Sequence, residues 1–70
     1  MKRTHVLATV EYKEYKLQVV VDYKTDIYSV YACYLDGGKR HKRKIHESYY
    51  YCYALEHVSD IVYGRINFYV

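Results

Sequence analysis

The residues of this chain that could perform chemistry are its four histidines, its two cysteines and a glycine pair followed by a lysine. A zinc site could draw on His41, His46, Cys52 and His57. Structural zinc sites fix two ligands on one element, and no Cys-x-x-Cys or His-x₃-His pair does so here. We therefore predict that the chain is not an enzyme, holds no metal or cofactor, and takes no small-molecule substrate.

The glycine pair Gly37-Gly38 and Lys39 do not form a phosphate-binding loop. The Walker pattern requires an earlier glycine at a fixed spacing and a serine or threonine after the lysine, whereas Arg40 follows Lys39 here. Glycine reaches the positive φ that tight hairpin turns need. The pair therefore predicts a turn.

A basic segment follows that turn, from Lys39 to His46. It holds five of the eleven Lys and Arg residues and none of the eight acids, so the rest of the chain carries 6 − 8 = −2. Concentrated cations attract phosphate or acidic surfaces. The alternative is a solvated edge strand whose charges prevent pairing with other chains. The candidate nucleic-acid-binding residues are Lys39, Arg40, Lys42, Arg43, Lys44, Lys16 and Tyr31.

Tyrosine supplies nearly all the aromatic mass: twelve tyrosines stand beside one phenylalanine and no tryptophan. A domain of 70 residues cannot bury all twelve rings. Exposed amphipathic rings suit contact with proteins or with nucleic-acid bases. The alternative is that tyrosine acts as a strand former in a thinly covered sheet.

Three segments alternate apolar and polar residues with a period of two, which predicts strands. Turns at Lys13-Glu14 and at Lys24-Thr25 would place Val10 opposite Leu17, Ala8 opposite Val19, Val21 opposite Tyr28 and Val19 opposite Val30, with all apolar residues on one face. The predicted core-facing sets are Val6, Ala8, Val10 and Tyr12, then Tyr15, Leu17, Val19, Val21 and Tyr23, then Tyr28, Val30, Ala32 and Tyr34.

In the second half of the chain the spacing of the apolar residues changes. The basic segment would place Arg43 and Ile45 towards the core, so we expect a fourth strand that is short, at the edge, or irregular. Spacings of three and four residues predict a helix between Ser48 and about Tyr63, ended by Gly64. The Tyr49-Tyr50-Tyr51 run favours a later start. The helical stripe comprises Tyr51, Ala54, Leu55, Val58, Ile61 and Val62.

Two assignments stay open. Ile27, Val30, Tyr31, Tyr34 and Leu35 also fit a helical stripe, although their aromatic and β-branched content favours a strand. The tail from Arg65 to Val70 alternates and could add a short final strand. The fold class is therefore α+β, one domain over residues 1–70. It is a three- or four-stranded antiparallel meander with one C-terminal helix packed on one face.

The sheet face away from the helix carries the candidate binding surface. Our first hypothesis is nucleic-acid binding through a basic hairpin and exposed tyrosines. The alternative is a phage- or virus-type inhibitor or adaptor that binds a host protein, such as a nucleic-acid-processing enzyme, with a homodimer as a further form of the same interface. The candidate protein-interface residues are Leu7, Val20, Ile27, Tyr31 and Leu35.

The expected compartment is the cytoplasm, of a cell or of an infected host. No stretch resembles a signal peptide, and no apolar run approaches the roughly 20 residues of a membrane span, so we expect no membrane partner. Cys33 and Cys52 are too few for a disulfide scaffold. They could pair, but two buried thiols are the favoured prediction.

Overall fold

A computed structural model describes residues 3–68 and places them in four strands followed by one helix. Each strand pairs antiparallel with the next, in the order β1-β2-β3-β4. The predicted meander with a C-terminal helix is confirmed, in its four-stranded form. The elements are β1 (Thr4–Tyr12), β2 (Tyr15–Asp22), β3 (Ile27–Asp36), β4 (Lys39–Ser48) and α1 (Tyr51–Val62).

The predicted strand pairing is also confirmed. Val10 lies opposite Leu17 and Ala8 opposite Val19, while the next hairpin sets Val19 opposite Val30. The hairpin between β3 and β4 turns on Gly37 and Gly38, whose φ angles of 59° and 79° are the positive values that a two-residue turn of this kind requires. The agreement follows from the period of two, because a shift by one residue would expose every apolar side chain.

One residue of the first strand departs from its predicted face. The pairing of β1 with β2 shifts between Val6 and Ala8, leaving Leu7 as an extra residue. Val6 then lies opposite Val20 on the face away from the helix, not on the core face with Ala8. The prediction for Val6 was wrong because a bulge adds one residue to a strand and so inverts the alternation before it.

The core lies between the sheet and α1. Its buried members are Leu17, Val19, Val30 and Ala32 from the sheet and Ala54, Val58 and Ile61 from the helix. The helix contacts β2, β3 and β4. The other sheet face is left without a covering element among the described residues.

The helix begins later than Ser48, at Tyr51, in line with the weak helix preference of the tyrosine run. Ser48 ends β4 instead, and its Oγ accepts a hydrogen bond from the backbone N–H of Tyr50 at 3.1 Å. Gly64 ends the helix as predicted. Its N–H donates to the Ile61 carbonyl and that of Arg65 to the Asp60 carbonyl, which is the Schellman arrangement.

The structure settles the alternatives that the sequence left open. Residues 27–35 form a strand, as their aromatic and β-branched content favours. Of the three forms expected for β4, the structure has two: it lies at the edge of the sheet and is irregular, but with ten residues it is not short. Residues 65–68 form no strand, and Val70 lies outside the described residues.

The cysteines are free thiols on opposite sides of the sheet, Cys33 half-buried on β3 and Cys52 exposed on α1. The prediction of buried thiols was therefore wrong for Cys52. An exposed helix position explains this, because Cys52 lies outside the stripe that packs on the sheet.

Candidate nucleic-acid interface

The sheet face away from α1, called the outer face below, brings part of the basic segment to one side. Side chains alternate between the two faces of a strand, so Arg40, Lys42 and Lys44 of β4 share the outer face. Lys39 and Arg43 point to the other side, where Arg43 lies opposite the buried Ala32. The five cations predicted as one site are therefore divided between two faces.

An irregularity in β4 explains how so basic a strand is still anchored to the core. The pairing with β3 shifts between Val30 and Tyr31, so Ile45 is an extra residue between Lys44 and His46. Ile45 packs against the core, and His46, opposite Val30, stacks on His57 of the helix. The bulge thus directs two consecutive side chains inward at the end of the basic row.

The outer face arranges its groups in rows that cross the strands. One row runs Lys16, Cys33, Lys42, and the next runs Gln18, Tyr31, Lys44. The structure therefore places Lys16 and Tyr31 beside the outer cations of β4, as the sequence predicts. Cys33 Sγ donates a weak hydrogen bond to Gln18 Oε1 at 3.6 Å.

Two of the outer cations have identified contacts. The Lys42 ammonium lies over the Tyr31 ring, 4.5 Å from its centroid. Lys44 Nζ donates to Glu47 Oε2 at 3.2 Å, and this bond raises the pKa of Lys44 above its ordinary value. Lys44 therefore stays protonated, but a phosphate has to compete with Glu47 for its charge.

The charge of the outer face changes along the strands. Near the β3–β4 turn, Lys16, Arg40 and Lys42 border an open depression of about 550 Å³. At the opposite end Asp22 forms a salt bridge with Arg3 Nε at 2.9 Å, and this hydrogen-bonded pairing lowers the pKa of Asp22. Acids are not wholly absent from the basic end, because Glu11 lies directly opposite Lys16.

The apolar residues predicted as a protein interface are not one patch. Val20 is only 7% exposed, Leu7 lies at the bulge of edge strand β1, and Ile27 is half-buried. Leu35 is 68% exposed. Ile27 and Leu35 stand eight residues apart on β3, which is about 27 Å of strand. Leu35 and the half-buried Tyr31 remain as apolar groups beside the cations.

Two of the histidines considered for a zinc site form a stacked pair on the helix side, a contact that the sequence did not predict. His46 and His57 have ring centroids 4.3 Å apart and planes 11° from parallel. Burial of His57 and the neighbouring His46 lower the pKa of His57, against a smaller opposing effect of Asp60. His46 Nε2 is buried and has no hydrogen-bond partner among residues 3–68. No spacing rule links these residues, because the contact depends on how the helix packs on β4.

A group of exposed tyrosines also lies where α1 begins. Tyr49, Tyr50 and Tyr53 are all exposed, and the rings of Tyr50 and Tyr53 meet edge to face at 5.4 Å. The sequence indicated that many tyrosines must be exposed, but only the late start of the helix decides which. Tyr53 belongs to the helix, which packs on the sheet face opposite the basic row.

The described residues contain neither a metal-ligand group nor a membrane span. Between residues 3 and 68, no three His, Cys, Asp or Glu side chains are grouped so that they could hold a metal ion. Over the same residues, no helix has the length and apolar character needed to cross a membrane. Comparison of the chain with protein-family models, with curated proteins and with solved structures found no match.

Proposed function

We propose that this protein binds nucleic acid through the basic end of the outer face. One observation carries the proposal: Arg40, Lys42 and Lys44 stand in a row beside Tyr31, on the sheet face that the helix leaves open. Phosphate contacts supply most of the affinity of nucleic-acid binders, and rings add contacts to the bases.

The charge distribution supports the same surface. The basic segment carries +5, while the remainder of the chain carries 6 − 8 = −2. A polyanion is therefore attracted more strongly to β4 than to the rest of the molecule. Such asymmetry orients the encounter and raises the association rate at low salt.

The test is a fluorescence-anisotropy titration with labelled DNA and RNA over a series of salt concentrations. The site variant is Arg40→Gln with Lys42→Gln and Lys44→Gln. Its matched control is Lys39→Gln with Arg43→Gln and Lys24→Gln, which removes the same charge from other places. We expect the site variant to reduce the slope of log K against log salt by about 2 to 3, since each lost phosphate contact removes about 0.7 to 0.9.

Two results would contradict the proposal. The first is no binding by the wild-type protein even at low salt. The second is an equal loss in the site variant and the control, because net charge and not the outer face would then explain binding. Circular dichroism of both variants checks that the fold is retained.

A second candidate function is capture of a protein partner, in the manner of an inhibitor or of a homodimer. The exposure of Leu35, 68% of its side chain and backbone surface, favours it. Leu35→Ser should then abolish the association, while the Gln variant of the outer cations retains it. Light scattering at high concentration distinguishes self-association from a monomer, and a monomer would refute the homodimer.

A further inference from the structure

We infer that the ligand of the outer face is a single strand of nucleic acid, with its phosphates along β4 and its bases over β3. This inference rests on the proposed function and specifies that the nucleic acid is single-stranded. It follows from how cations and uncharged side chains alternate between two neighbouring strands.

Each outer cation of β4 faces an uncharged side chain on β3. Arg40 lies opposite Leu35, and Lys42 lies opposite Cys33. The same pairing places Lys44 opposite Tyr31. The cations repeat every two residues, about 6.8 Å, and the strands lie about 4.8 Å apart. A single strand of nucleic acid has the complementary pattern, a charged backbone with uncharged bases to one side.

The width of the face disfavours a double helix. Four strands span about 14 Å between the outer strand axes, whereas the major groove is about 12 Å wide and admits a two-stranded ribbon. The β3–β4 hairpin extends only three residue pairs beyond the last pairing of β2, which joins Lys16 to Cys33. Lys42 and Lys44 lie on the edge strand where β3 is also paired with β2, so the two-stranded hairpin cannot enter a groove there without the rest of the sheet.

The contact between Lys42 and Tyr31 indicates how a base could reach the Tyr31 ring. In the free protein the ammonium lies 4.5 Å from the ring centroid. A cation over a half-buried ring at the sheet surface is in contact with water and is held weakly, and the flexible stem of lysine lets it move to a phosphate. The ring face is then open to a base. Tyr31 is thus the stacking residue, and Lys42 is the cation that exchanges ring for phosphate.

The experiment compares three ligands of about 12 nucleotides: oligothymidine, an abasic strand with the same number of phosphates, and a duplex. About 12 nucleotides fall within the site sizes of known single-strand binders. Wild-type protein should bind oligothymidine at least tenfold more tightly than the abasic strand, since stacking of one base accounts for about that factor. The duplex should bind more weakly than oligothymidine at the same salt concentration. An oligouridine arm compares RNA with DNA.

The variant Tyr31→Leu isolates the stacking step. It should weaken oligothymidine binding about tenfold and leave binding of the abasic strand unchanged, while Tyr31→Phe retains both. Tyr53→Leu is the matched control, because Tyr53 is exposed on the helix away from the basic row. A melting curve confirms that each variant folds.

Failure of this inference is distinguishable from failure of the proposed function. Duplex binding that equals or exceeds single-strand binding, with the salt dependence intact, overturns the single-strand assignment alone. The same holds if Tyr31→Leu binds oligothymidine as the wild type does. Absence of binding to every nucleic acid overturns the proposed function as well.

Discussion

Replacement of Ile61 tests how the helix is held on the sheet that carries the basic row. The Ile61 side chain is 1% exposed and belongs to the core that joins α1 to β2 and β3. Ile61→Ala removes buried methyl groups and leaves a cavity, which costs about 2 to 5 kcal/mol. At about 0.05 to 0.15 kcal/mol per residue, a 70-residue domain has about 3.5 to 10 kcal/mol of stability in all. The variant should therefore be close to unfolding.

A graded pair of variants keeps this prediction measurable. Ile61→Val should cost about 0.5 to 1.5 kcal/mol and lower the urea midpoint in proportion. Leu55→Ala is the control on the same helix. Leu55 is 39% exposed, and alanine is the better helix former, so the expected loss is below about 1 kcal/mol.

The assay for these variants is urea unfolding followed by far-ultraviolet circular dichroism, with the slope m compared between them. An equal or larger loss for Leu55→Ala than for Ile61→Ala would refute the assignment of Ile61 to the core and of Leu55 to its margin.

Two further predictions concern the contact of the helix with β4 and the C-terminal end of the helix. Burial and His46 lower the pKa of His57, so the folded state disfavours protonation of His57. The neutral form of His57 favours the folded state, and this stabilisation is fully present above the unfolded pKa of about 6.5. It declines as the pH falls below that value, because the unfolded state then binds the proton more readily. The urea midpoint should therefore decrease as the pH is lowered from about 7.5 to 5.5, and His57→Gln should make that decrease smaller. The same pH dependence in His57→Gln as in the wild type would contradict the reasoning. Gly64 has a φ of 73°, and a Cβ there would meet no atom within 4 Å, so Gly64→Ala should cost about 1 to 2 kcal/mol from backbone strain alone. Gly64→Asn should cost less by thermal melting, and equal losses would argue against a left-handed requirement.

The sequence determined the register of the first two hairpins outside the bulge in β1, because alternation and turn positions had to agree. Val10 meets Leu17 and Val19 meets Val30, since a shift by one residue would expose the apolar face and a shift by two would not fit the turns. Gly64 likewise marked the helix end, because few residues other than glycine adopt its backbone conformation without strain. These features depend on neighbours in the chain, and local rules are enough to predict them.

The alternation of β4 already separated Arg43 from its neighbours, but only the tertiary structure decided how the basic strand is anchored and what lies beside its outer cations. The turn at Gly37 and Gly38 sets the direction of the cations up to Lys44, whereas the bulge at Ile45 turns Ile45 and His46 inward, and a bulge forms where packing on both faces favours it. The stacking of His46 on His57 depends in the same way on the docking of the helix. The sequence therefore determined that a basic strand exists. The packing of that strand determined that Arg40, Lys42 and Lys44 lie beside Tyr31, because the neighbours of a side chain follow from contacts between elements distant in the chain.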